Sequence, residues 1–171
     1  MKTSQLSSSD YNPYYKAYIE ALGEVDLMKT LKKQVENYPQ FLGSIPVDKL
    51  NYSYADGKWT VAEVLVHVLD SERVFQYRAL RFARKDKTPL PGFDQDTYVP
   101  ASGANQRSLE SIIEEYKAIR RSTIALYESF EEGILNRRGV AINSTMSVGA
   151  LGFIICGHQK HHRNIIRERY L

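Results

Sequence analysis

The chain has 171 residues, enough for one domain and too few for two well-filled cores. Its 43% hydrophobic and 25% charged content excludes a largely disordered or collagen-like chain. The 23 Lys and Arg against 20 Asp and Glu leave a net +3, too mild a surplus to argue for a binder of nucleic-acid backbone.

Residues 1–171 read as a single unit, with 1–24 as an N-terminal strap. Met1 to Asp10 is serine-rich and polar, without the apolar stretch of a secretory signal. The tyrosine-rich run Tyr11-Asn-Pro-Tyr-Tyr-Lys-Ala-Tyr18 is expected to lie across the surface of the fold. Leu27, Leu31, Val35, Tyr38 and Leu42 recur at helical spacing and predict a first amphipathic helix, which Pro39 is expected to kink or shorten. Thr60 and Glu63 form a capping-box pattern and announce a second helix running to about Arg84.

Asp86 to Arg107 carries three prolines, two glycines and Ser102, and reads as a long loop that covers a site or crosses the fold. A third helix begins near Ser108 with Ile112, Tyr116, Ile119, Thr123, Tyr127 and Phe130 on one face, and Gly133 is the expected stop. Ser147 caps a fourth, which carries Leu151, Ile155, His158, His162 and Ile165 as an inward stripe. No strand pattern competes. Four such helices predict an all-α four-helix bundle.

The single cysteine, Cys156, excludes an intrachain disulfide and a cysteine zinc cluster, and fits a reducing compartment. The longest apolar runs, such as Leu151 to Cys156, fall far short of the roughly 20 residues a membrane helix needs. The expectation is a cytoplasmic protein acting on a small molecule, with neither nucleic acid nor membrane as partner.

His158 and His162 lie four apart on one helical face, so both imidazoles can aim at one point, as paired nitrogen ligands require. Two core histidines with separate hydrogen-bond partners would have the same spacing. His67 adds weight, because it sits within Val64-Leu-Val-His67-Val-Leu, where an imidazole needs a specific partner to offset lost hydration. His161 falls on a more polar face and is expected to be exposed.

Three imidazoles from two helices would leave a tetrahedral divalent ion one open position, as in catalytic sites. Zinc is the first choice, with nickel another metal that suits imidazole. Glu63 and Asp70 share a face with His67 and are candidates to orient it. Capping already accounts for Glu63, and a solvated or ion-paired carboxylate would account for Asp70.

Cys156 diverges from His158 by about 200 degrees around the helix and reads as packing. Gly149, Gly152 and Gly157 suggest close helix contact. Two basic stripes, Arg78, Arg81 and Lys85 and then Lys160, Arg163 and Arg167, read as solvated helix ends. The alternative is a rim recognising a carboxylated thiol or a phosphorylated ligand.

The run Gly57-Lys-Trp-Thr-Val-Ala-Glu-Val-Leu-Val-His67, continued by Asp70-Ser-Glu-Arg, resembles the second-helix signature of the DinB/YfiT-like metalloenzyme superfamily. The closing Gly157-His158-Gln-Lys-His-His162-Arg-Asn-Ile-Ile resembles its last helix. Leu90-Pro-Gly-Phe-Asp94 and Tyr11 to Ile19 are similar to its DinB-like subgroup.

The resemblance implies up-down-down-up connectivity, with the long loop between the second and third helices as the crossover. It also implies a metal triad at His67, His158 and His162, and a homodimer. The superfamily includes thiol-dependent S-transferases and isomerases. The expected function is therefore thiol-dependent S-transfer, the metal lowering the pKa of a low-molecular-weight thiol cosubstrate. The alternatives are hydrolysis by metal-bound hydroxide and a noncatalytic dimeric stress protein whose metal stabilises helix packing.

Overall fold

Asp26, Thr60, Ser108 and Ser147 each start a long helix by the same means. Their side-chain oxygens accept the backbone N–H three residues on, at Lys29, Glu63, Ser111 and Ala150, over 3.0, 3.2, 3.2 and 3.1 Å. In the computed structural model, which describes residues 1–171 except for the side chain of Glu132, these helices are α2 (Leu27–Gly43), α3 (Val61–Ala83), α5 (Leu109–Glu128) and α6 (Val148–Arg169). The short α1 (Lys16–Glu20) precedes them and α4 (Gln95–Ala101) lies between α3 and α5. Thr60 and Glu63 make the reciprocal capping box, the Glu63 carboxylate accepting Thr60 N–H at 2.8 Å.

Contacts between the helices give their directions. Gln34 bonds Arg120 and Tyr38 packs on Tyr116, so α2 and α5 are antiparallel. Glu72 meets Arg120 and Gln76 meets Ser122, so α3 and α5 run the same way. Gln34 also reaches the Cys156 carbonyl, and Leu27 abuts Gly152, which makes α2 and α6 parallel. The result is an up-down-down-up four-helix bundle, with residues 84–108 crossing from the end of α3 to the start of α5.

A polar belt divides the apolar interior into two clusters. Arg120, fully buried, donates through Nε and Nη2 to both Glu72 carboxylate oxygens at 2.7 and 2.8 Å, and Thr123 Oγ1 adds a third bond to Glu72. Every charge in this belt has a partner, as burial demands.

Four sequence expectations need correction. Pro39 does not shorten its helix: α2 continues to Gly43. The third helix ends at Glu128, short of Gly133. The loop between α3 and α5 holds α4, whose first turn is capped by Asp94 accepting Asp96 N–H at 3.0 Å. Finally, there is a hairpin. Strands β1 (Arg138–Ala141) and β2 (Ser144–Ser147) pair antiparallel, joined by Ile142 and Asn143 at φ 51° and 56°.

Positive φ suits asparagine and is costly for a β-branched isoleucine, and the apolar run is too short to read as a strand by periodicity. Leu90 of the crossover bonds this hairpin in both directions, accepting Ile142 N–H and donating to the Val140 carbonyl. The chain thus brings the crossover and the hairpin to the same edge of the bundle.

The glycines of α6 mark close approach. A Cβ at Gly157 would lie 2.2 Å from the Tyr18 carbonyl oxygen, and one at Gly152 would lie 2.9 Å from Leu27 and Tyr127. The N-terminal segment therefore lies directly on α6, one residue from His158. No helix among the described residues is long and apolar enough to cross a membrane.

Candidate metal centre

His67 projects from the second turn of α3, and His158 and His162 from the middle of α6. Because these helices pack antiparallel, the three rings meet. Nε2 of His158 lies 3.1 Å from Nε2 of His67 and 3.1 Å from Nε2 of His162. All three nitrogens fall within 4.8 Å of one another. Among the described residues no other cluster of three or more His, Cys, Asp or Glu side chains converges in this way.

A neutral imidazole has one N–H, so the His158 nitrogen can donate to at most one of its two neighbours. Three ring nitrogens without a carboxylate among them are a set of lone pairs that a cation would reconcile. Zinc–nitrogen bonds of about 2.0–2.1 Å at a tetrahedral angle would put two ligand nitrogens about 3.3 Å apart, close to the spacing found. Burial also keeps the rings neutral. It pushes the His67 pKa down to about 4 and that of His162 down to about 3, and it holds His158 well below the ordinary histidine value. Neutral nitrogen is the ligating form.

The imidazoles form one end of a cleft of about 480 Å³. Trp59 packs its ring 4.9 Å from that of His67, and Tyr18 packs edge-on to His158 at 5.6 Å. Ser71 and Phe75, one and two turns beyond His67, continue the α3 wall. Tyr14 and Tyr15 come from the N-terminal segment, Phe93, Asp94 and Asp96 from the crossover, and Ile142 from the hairpin turn. The lining holds no Lys or Arg, and its fixed charges are the two aspartates at the rim. The cleft also opens directly onto the nitrogens.

His161 is half-buried with its ring 5.0 Å from Tyr18, and it lines the cleft. This corrects its expected exposure, because α1 covers a face that the bundle pattern alone leaves polar. Glu63 and Asp70 stand elsewhere. The Glu63 carboxylate is occupied by Thr60 N–H and by Asn105 Nδ2 at 3.1 Å. Asp70 faces Arg73 at 3.6 Å, beside the Glu115 carboxylate that Arg73 and Arg107 share, and burial raises its pKa. Neither carboxylate hydrogen-bonds an imidazole among the described residues.

Cys156 is buried, with its pKa pushed up to about 12 by loss of hydration, and does not line the cleft. The basic stripes do not rim the cleft either. Arg78 is 2% exposed and donates to the Pro91 carbonyl at 3.1 Å, pinning the crossover rather than facing solvent. Arg81 pairs with Asp86 and Tyr77.

Several cleft residues carried too little sequence signal to be singled out. Trp59 and Ser71 carry signal only within the runs Gly57 to His67 and Asp70 to Arg73, and Ile142 carries none of its own. The signal that could have found Ser71 and Phe75 is their spacing of four and eight from His67.

Comparison with known proteins agrees with the bundle fold. The model of the DinB superfamily matches residues 17–166. A curated protein of Oceanobacillus iheyensis named "Putative metal-dependent hydrolase OB0413" is 28% identical over 136 residues, covering 76% of this chain and 78% of that protein. Among solved structures, YfiT from Bacillus subtilis, described as a probable metal-dependent hydrolase with an unusual four-helix bundle topology, superposes with a TM-score of 0.71. That match has 16% identity over 96% of this chain and 90% of YfiT. A mycothiol-dependent maleylpyruvate isomerase superposes with a TM-score of 0.67 and 10% identity, over 90% of this chain and 62% of the isomerase.

Proposed function

The chain belongs to the DinB superfamily, and from that premise we propose that it is a metal-dependent enzyme acting on a small molecule, with His67, His158 and His162 holding a divalent ion. The observation that carries this reading is the convergence of three ring nitrogens, kept neutral by burial, in the wall of an open cleft. When bound, such an ion supplies Lewis acidity that lowers the pKa of an adjacent oxygen or sulfur acid. Zinc is the ion favoured by an all-imidazole set, with nickel next.

The chain's own residues then position and enclose the reactants. Trp59, Tyr18 and Phe75 set aromatic surface against the imidazoles, which lowers the local dielectric and strengthens electrostatic interactions there. The Ser71 hydroxyl lies in the wall one turn from His67 and offers a hydrogen bond to a bound reactant. Cys156 is buried outside the cleft, so no thiol of the chain serves it. This reading assigns the sulfur nucleophile to a small molecule and leaves the Ser71 hydroxyl to bind and orient it.

A cleft of about 480 Å³ has room for a cosubstrate as well as a substrate. This supports S-transfer with a low-molecular-weight thiol as that cosubstrate, in line with the thiol-dependent isomerase that shares the fold. The aspartates at the rim favour a neutral or cationic reactant group over a further carboxylate.

Hydrolysis, with water as the nucleophile, is the second reading, favoured by the name of the relative from Oceanobacillus iheyensis. The same reading includes a homodimer and a cytoplasmic setting, which sedimentation and cell fractionation would check.

A panel of thiols and electrophiles, run with metal-depleted and zinc-restored protein, tests the proposal. Zinc-dependent and thiol-dependent product formation is expected. Zinc-dependent turnover without thiol would select hydrolysis, and no zinc-dependent turnover of any substrate would count against an enzyme.

A further inference from the structure

A second cleft, of about 260 Å³, lies between α2 and α6 and shares no lining residue with the first. Its α6 wall is Gln159, Lys160 and Arg163. Gln159 and Arg163 each follow a cleft histidine by one position, and one residue is about 100 degrees of helix rotation, so they face away from the imidazoles. The opposite wall is α2, with Lys33, Gln34, Asn37 and Tyr38.

The charge here is of one sign. Lys33, Lys160 and Arg163 line the cleft, no Asp or Glu does, and none of the three cations belongs to an ion pair among the described residues. Lys160 Nζ donates one bond, to the Ala21 carbonyl at 2.7 Å.

Two buried polar atoms in the lining also lack partners. Tyr38 is 2% exposed and its hydroxyl bonds nothing, and Arg163 Nε is buried and equally unpaired. Buried polar groups are almost always satisfied, and leaving two in one basic cleft is costly unless something completes them. Burial keeps the Tyr38 hydroxyl protonated as a donor, with the Arg163 charge close by. The nearby buried Arg120 is neutralised by Glu72. It leaves the remaining positive charge to Arg163 and the two lysines.

We propose that this cleft binds a small multiply charged anion, a phosphate compound or a polycarboxylate, accepting from Arg163 and Tyr38 at its base and from Lys33 at its mouth. Gln159 Oε1 already accepts Tyr116 O–H, and Gln34 is held by Arg120 and the Cys156 carbonyl, so the floor is rigid before any ligand arrives. This preorganisation lowers the cost of binding. The volume admits a metabolite-sized ion and is too small for a protein segment. The site stands apart from the proposed metal chemistry.

The test is isothermal titration of metal-depleted protein, so that no ion in the imidazole cleft can take up the probe. Pyrophosphate and citrate are titrated separately at matched ionic strength, with sodium chloride as control. Saturable one-to-one binding of either probe is expected, weakened about tenfold or more by Arg163→Gln and by Lys33→Gln, since each removes a charge-assisted contact. Tyr38→Phe should weaken it less while leaving the fold intact.

Preference for pyrophosphate would assign the ligand to phosphate compounds, and preference for citrate to polycarboxylates. His158→Ala should bind as wild type does. Absence of saturable binding, affinities unchanged in the Arg163 and Lys33 variants, or binding lost in His158→Ala would each overturn the proposal.

Discussion

His67 and His158 are 91 positions apart in the chain, and their Nε2 atoms are 3.1 Å apart. That approach rests on antiparallel packing of α3 on α6, with α1 seated on α6 beside the same cleft at Gly157. The proposed chemistry, the acid sensitivity of the fold and the tolerance of α6 to substitution all depend on this one juxtaposition.

The metal-free protein should lose stability in mild acid. The unfolded histidines take up protons near their ordinary pKa of 6.5, whereas folded His67 resists until about 4 and His162 until about 3. Below 6.5 the unfolded state therefore binds more protons, and folding free energy falls as pH drops through that window. The stabilisation is complete above 6.5 and is lost progressively toward 4. Urea midpoints of metal-depleted protein should be flat at neutral pH and fall across this range, with a shallower fall in His67→Gln. Equal slopes in the two proteins would refute the assignment to His67.

Gly157→Ala should cost about 1–3 kcal/mol, the usual penalty for overpacking. Its new Cβ would lie 2.2 Å from the Tyr18 carbonyl, a backbone atom that cannot rotate away. At Gly43 nothing lies within 4 Å, so Gly43→Ala is the matched control and should be neutral or slightly stabilising. Denaturant unfolding of both variants checks the contrast.

The buried ion pair makes an asymmetric prediction. Arg120→Ala should destabilise by about 3–5 kcal/mol, because Glu72 would remain buried without its bidentate partner. Replacing both residues with apolar side chains, Arg120→Met with Glu72→Leu, should cost less than the single change. A double variant as unstable as the sum of its singles would show that the belt acts through packing alone.

Much of the bundle was legible because its signals are local. The caps at Thr60, Ser108 and Ser147 act within three residues, and the apolar stripes repeat within a turn. His158 and His162 were legible as a pair for the same reason. The cleft walls were not, because Tyr15, Phe93 and Ile142 reach the site through loops whose course is set by distant contacts. One of these contacts is Leu90 bonding the hairpin.

The hairpin itself was missed. Four-residue strands are too short for a periodicity, and Ile142 occupies a left-handed turn position that its residue type argues against. Arg78 reads as solvated in the sequence because helical spacing cannot show that the crossover covers it.

Cys156 should be chemically silent in the native protein. It is fully buried, and loss of hydration pushes its pKa up to about 12, so almost no thiolate exists at neutral pH. A thiol-specific colorimetric reagent should register nothing on the folded chain and one equivalent in denaturant. Rapid native labelling would place the sulfur in reach of a reactant and undo the argument that the nucleophile is external.

The most direct measurement is elemental analysis of zinc-loaded, dialysed protein, comparing wild type with a His158→Ala variant whose circular dichroism matches it. The account predicts one equivalent of zinc per wild-type chain and a near-complete loss in the variant, since His158 is the ring that touches both of the others. Equal zinc content in the two proteins would contradict it.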